Sequence, residues 1–165
     1  MPQQEGDLLS ANEDTLFLND ERCIRSYAEN RVRDEDILWR RILNNPNMLK
    51  TEPSGSLRPS SAAFLDGRTG EVSVQIARLT TAEKALSNKA DNGIVELEAS
   101  YPRSLGHIVA YDPVKYDPDL EDDVSHALIW SPEKSPKQRK ADARLMAEKS
   151  RWLCYPKDYR PEKLS

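Results

Sequence analysis

Two short stretches carry an apolar residue at every second position: Glu71-Val72-Ser73-Val74-Gln75-Ile76-Ala77-Arg78 and Ile94-Val95-Glu96-Leu97-Glu98-Ala99. Successive side chains of a strand point to opposite faces. Val72, Val74 and Ile76 therefore share one face, as do Val95, Leu97 and Ala99, with the glutamates, serine and glutamine turned outward. Half-buried strands of this kind commit the chain to a mostly antiparallel sheet with one wet face. Around them, 11 prolines in 165 residues predict long irregular connections. The chain is 38% hydrophobic and 32% charged, with a mean hydropathy of -0.75. No apolar run approaches the roughly 18 residues needed to cross a bilayer. Met1-Pro2-Gln3-Gln4-Glu5-Gly6-Asp7 also lacks the basic-then-apolar order of a secretory signal. A cytoplasmic protein without membrane association is expected. Two cysteines, Cys23 and Cys154, are too few for a disulfide scaffold or a cysteine-based zinc site and read as free thiols.

Residues 1–33 read as a polar N-terminal arm that packs locally or on a partner, because its apolar content does not offset its own ordering entropy. A single α+β domain is expected over 34–153, followed by a tail at 154–165. The run Asp34 to Ile42 suits a helix or a strand equally, and periodicity does not arbitrate over so short a length. Residues 43–60, rich in Asn, Pro, Ser and Gly, read as a loop. Ser60 to Leu65 reads as a strand joined to the 71–78 strand through the Asp66-Gly67-Arg68-Thr69-Gly70 turn, giving a hairpin. Thr80-Thr81-Ala82-Glu83 is a capping box that starts a short helix. Pro102 opens a one-turn helix ending at Gly106, and strands are expected at 107–111 and 125–130. Ser135-Pro136 supplies an N-cap and an N1 proline for a basic C-terminal helix over 137–153. Its expected apolar stripe is Ala141, Leu145 and Trp152, with Met146 and Leu153 alongside. The fold class is thus a small mostly antiparallel sheet of about five strands with one or two packing helices.

The formal net charge is -4, but it is unevenly spread. Residues 112–124 hold six acids (Asp112, Asp117, Asp119, Glu121, Asp122 and Asp123) against one base, whereas residues 131–165 hold ten bases against five acids. An acidic loop and a basic tail pair within the molecule or meet separate partners. Asp119, Glu121, Asp122 and Asp123, with Arg139, Lys140, Arg144 and Arg151, are therefore the candidate binding residues. The bases of the C-terminal helix also raise nucleic-acid binding, although they are spread around the helix with Asp142 and Glu148 among them.

No G-x-S-x-G elbow, Walker loop or G-x-G-x-x-G occurs. The two histidines, His107 and His126, lack further ligands at zinc spacing, and no metal or cofactor is expected. Arg40 or Arg41, then Ser60-Ser61, then Glu96-x-Glu98 resembles the arginine, serine, glutamate order of ADP-ribosyltransferases. That resemblance implies an arginine clamping the NAD pyrophosphate and an acid holding the ribose. His126, at the start of a strand after the acidic loop, is a candidate general base or a turn-fixing residue. The candidate catalytic set is Arg40, Arg41, Ser61, Glu98 and His126.

Leu38-Trp39-Arg40-Arg41-Ile42, Arg58-Pro59-Ser60-Ser61-Ala62-Ala63-Phe64, Val72-Ser73-Val74 and His126-Ala127-Leu128-Ile129 together resemble a group of small uncharacterised bacterial proteins. The group's pattern runs L-Y-R-R-I, R-P-S-S-A-A-F, S-V and H-A-L-V, with Trp39 here in place of the tyrosine. The resemblance spans roughly residues 37–130 and implies a bacterial, cytoplasmic setting. It marks Arg40, Arg41, Ser60, Ser61 and His126, and leaves out the glutamate pair. The expected function is a non-catalytic interaction protein, an accessory or adaptor subunit partnered by another protein of a bacterial multi-protein system. An enzyme acting on NAD or a nucleic-acid phosphate is the alternative, and nucleic-acid binding through the basic helix is the third reading.

Overall fold

In the computed structural model, which describes residues 31–65, 70–87, 89–115 and 117–159, both alternating runs are strands of one sheet. The strands are β1 (Ile37–Ile42), β4 (Glu71–Ile76), β5 (Gly93–Glu98), β6 (Ile108–Tyr111), β7 (His126–Trp130) and β8 (Arg151–Cys154). They lie in the order β6-β7-β4-β1-β5-β8, and every neighbouring pair is antiparallel. A small separate hairpin joins β2 (Leu49–Thr51) to β3 (Leu57–Pro59). Helices are α1 (Ala82–Leu86), α2 (Ser100–Ser104) and α3 (Pro136–Lys149), with 3-10 turns η1 (Ser61–Phe64) and η2 (Ala77–Leu79). The chain is an α+β fold built on a mostly antiparallel sheet. Among the described residues no helix is long and apolar enough to cross a membrane.

The ambiguous run at 37–42 is a strand, and it lies inside the sheet between β4 and β5. Its register brings Leu38 opposite both Ile76 and Leu97. Leu38, Ile42, Val72, Val74, Ile76, Val95, Leu97, Val109, Ala127 and Ile129 form one buried face. Against that face pack Ala63 and Phe64 of η1 and Ala143, Met146 and Ala147 of α3. Two alanines on the buried side let α3 approach closely, which is how a helix with few large apolar residues still closes a core.

Several expectations are corrected. The loop expected at 43–60 contains β2 and β3, and the Trp152 indole Nε1 donates to Leu57 O at 2.8 Å, fastening that hairpin beneath β8. The strand expected at 60–65 is the turn η1, so no hairpin forms with β4, whose partners are β1 and β7. Arg40 explains this locally, because its Nε donates to Ala63 O at 2.7 Å and occupies a carbonyl that a strand would have used in its ladder. The short helix is capped by Thr81, whose hydroxyl accepts from Lys84 N, one residue later than the expected box. The helix expected at 137–153 ends at Lys149, and Arg151–Cys154 is a strand pairing with β5. Its expected stripe is also displaced: Ala141 and Leu145 are exposed, and the buried residues are Ala143, Met146 and Ala147. Trp152 and Leu153 belong to the edge strand, where backbone pairing with β5 outweighs continuation of the helix. The expectations for residues 1–30 and the 66–69 turn lie outside the described residues.

Candidate functional site

The sheet sorts the candidate catalytic residues onto different faces. Arg40 lies on the core face, donating from Nε to Ala63 O and from Nη1 to Ser73 O at 2.9 Å. Ser61 opens η1 on the same side. Arg41, Glu98 and His126 fall on the opposite face, by the register Ile37 with Glu98 and Trp39 with Gln75, itself opposite His126. Glu98, at the end of β5, accepts from Ser100 Oγ at 2.7 Å. Its strand is three places from that of His126, about 14 Å at ordinary strand spacing. Side chains so divided do not converge on one reacting atom.

His126 instead organises the acidic loop. Its Nδ1 lies 2.7 Å from Asp112 O and 3.2 Å from the Asp112 carboxylate. A carbonyl only accepts, so Nδ1 carries the proton. Burial alone would pull the imidazole pKa down, but the Asp112 hydrogen bonds and charge outweigh it and raise the value. Across the loop, Asp123 accepts from Ser125 N at 2.9 Å, from the Ser125 hydroxyl, and from Gln75 Nε2 at 2.9 Å. Burial would push the Asp123 carboxyl up, but these bonds hold it below the ordinary range. A backbone bridge between Val114 and Asp123, and Tyr111 OH donating to Val124 O at 2.7 Å, complete the fastening. Asp117, Asp119, Glu121 and Asp122 stay exposed beyond it.

The candidate basic residues also divide. Lys140 is exposed, Arg144 pairs with Glu148 at 3.0 Å one helical turn away, and Arg151 reaches Glu96 from β8 at 3.5 Å. Arg139, in the first turns of α3, turns inward instead. Its guanidinium lies against Gly70, whose φ is +71° and whose added Cβ would collide with Nη1. Together with Phe64, Val72, His107 and Ser131 they line a cleft of about 10 Å³ at the end of β4 and β7. Arg139 Nε and Ser131 Oγ are buried there without a hydrogen-bond partner.

Behind the cleft, His107 Nε2 lies 2.8 Å from Asp142, which also receives Lys134 Nζ. Burial lowers the His107 pKa, and Asp142 only partly restores it. The Asp142 carboxyl would rise on burial, yet the Lys134 and His107 bonds hold it low. No family model, curated protein or solved structure matches this chain. Its chemistry therefore rests on its own geometry. Among the described residues no group of three or more His, Cys, Asp or Glu side chains is arranged to hold a metal ion.

Sequence reasoning missed Ser131 and Gly70. Ser131 closes an ordinary strand, and Arg139 is one of six bases between 137 and 151, with nothing in their spacing to single it out. The available signal was the Ser135-Pro136 cap, which fixes where α3 begins and hence which base faces the sheet.

Proposed function

We propose that this protein is a non-catalytic interaction protein, an accessory or adaptor subunit of a cytoplasmic bacterial multi-protein system, and that the acidic loop is its docking element. The carrying observation is that this loop, fastened at both ends, leaves Leu120 59% and Val124 47% exposed. Exposed large apolar side chains ringed by carboxylates match a partner surface that is apolar at its centre and basic at its rim. The carboxylates would steer encounter, while burial of Leu120 and Val124 would supply the binding energy.

The enzyme reading draws less support, because its candidate residues lie on two faces of the sheet. Nucleic-acid binding through α3 draws little, since Arg144 has a carboxylate partner and Arg139 turns inward.

The test is nuclease-treated affinity capture at moderate salt, comparing the native chain with a Leu120→Asp/Val124→Asp variant of unchanged melting temperature. A stoichiometric protein captured by the native chain and lost from the variant is expected. Equal capture by both, or no partner for either, would sink the reading.

A further inference from the structure

The cleft beneath Arg139 contains an unmet chemical demand. A guanidinium donates hydrogen bonds and never accepts them, so the group missing at Arg139 Nε is an acceptor. Ser131, which lines the same cleft and is only 4% exposed, also has its hydroxyl Oγ without a partner, and that hydroxyl can donate. Buried polar groups in folded proteins are nearly always paired, so two orphans lining one cleft point to an occupant.

Charge sharpens the identity of that occupant. Among the described residues, Asp142 is taken by Lys134 and His107, Glu148 by Arg144, and Glu96 by Arg151. No carboxylate among the described residues forms an ion pair with Arg139, so its guanidinium charge has no ion-pair partner among them. His107, depressed in pKa by its burial, adds no second charge in neutral solution. The guanidinium also sits close beside Gly70, at a position where any side chain would collide with Nη1.

Size sets the binding mode. A space of about 10 Å³ takes one water-sized group and no more. A ligand must therefore insert a single oxygen and keep its remaining atoms at the mouth. We propose that this cleft binds a phosphate-class oxyanion, free or at the end of a larger ligand, with one oxygen held by Arg139 Nε and Ser131 Oγ. A charge-assisted bond from a planar guanidinium suits such an oxyanion, and the hydroxyl supplies a second donor. The site is separate from the acidic loop, so its failure leaves the docking reading untouched.

The test uses the full chain labelled with nitrogen-15. Inorganic phosphate is added at constant ionic strength, with sodium chloride as the matched control, and the Arg139 Nε–Hε cross-peak is followed. A saturable shift is expected, weakened about tenfold in Ser131→Ala; in Arg139→Gln, which lacks that cross-peak, the phosphate-dependent shifts of the Gly70 and Ser131 backbone amides are expected to vanish. If Arg139→Gln fails to fold, Ser131→Ala carries the comparison alone. A nucleoside monophosphate run in parallel separates the sources. Tighter binding at the same cross-peak assigns the site to the end of a larger ligand, and equal binding assigns it to free phosphate. An unmoved Arg139 cross-peak, a shift that chloride reproduces, or a shift that Ser131→Ala leaves unchanged would mean a water or an adventitious ion only, and would overturn the proposal.

Discussion

Single residues in this chain do work that their type alone does not reveal. His107 immediately precedes β6 and His126 opens β7, yet burial lowers the pKa of the first and Asp112 raises that of the second. A histidine whose folded pKa is raised contributes stability that is fully present below its unfolded value and is lost as pH rises through the folded one. The His126 contribution is therefore complete below about pH 6.5 and fades above the raised value. In urea unfolding, His126→Gln is expected to cost more at about pH 5.5 than at about pH 9. An equal cost at both would remove the Asp112 contact from the account. His107 has the opposite sign, its contribution being lost as pH falls through the lowered value. Neither direction was legible in the sequence, because each depends on a partner brought from 14 or 35 residues away.

Secondary structure was legible where local chemistry and burial agreed. The alternating runs at 71–76 and 93–98 are strands, and Ser135-Pro136 starts α3 as its residue types demand. There Gln138 N donates to Ser135 Oγ at 3.2 Å, and Ser135 N donates to the Gln138 side chain at 3.3 Å. Removing one side of this reciprocal cap with Ser135→Ala is expected to cost about 1 kcal/mol in chemical denaturation. A loss near zero would mean that packing of Ala143, Met146 and Ala147 holds the helix end unaided. The far end of α3 was misread because Trp152 and Leu153 continue a plausible helical stripe. What stops the helix is the unpaired edge of β5, which offers Arg151–Cys154 backbone partners no sequence window contains. Ser60 to Leu65 was misread for a similar reason, its Ala63 carbonyl being claimed by Arg40.

Across the whole molecule, the segment before β1 is fastened by charge. Asp36 accepts from Arg78 Nε and from Arg33 N, both at 2.8 Å, while Arg103 donates to Asp34, Val32 O and Val109 O. Burial would push the Asp36 carboxyl up, but the Arg78 and Arg33 bonds hold it low. Arg78 is 46% exposed, so solvent screens part of the pair. Asp36→Asn is expected to lower unfolding free energy by about 2 kcal/mol, measured by urea denaturation near neutral pH. A change within error would make the contact superficial. The sequence by itself determined the fold class, the strand-forming runs, the start of α3 and the uneven charge, since these follow from periodicity, caps and composition. Tertiary structure alone decided that Arg41, Glu98 and His126 leave Arg40 and Ser61 on another face, and that Arg139 of all the helix bases turns toward Gly70 and Ser131. Strand order and helix placement set those relations, and both arise from pairings between residues far apart in the chain.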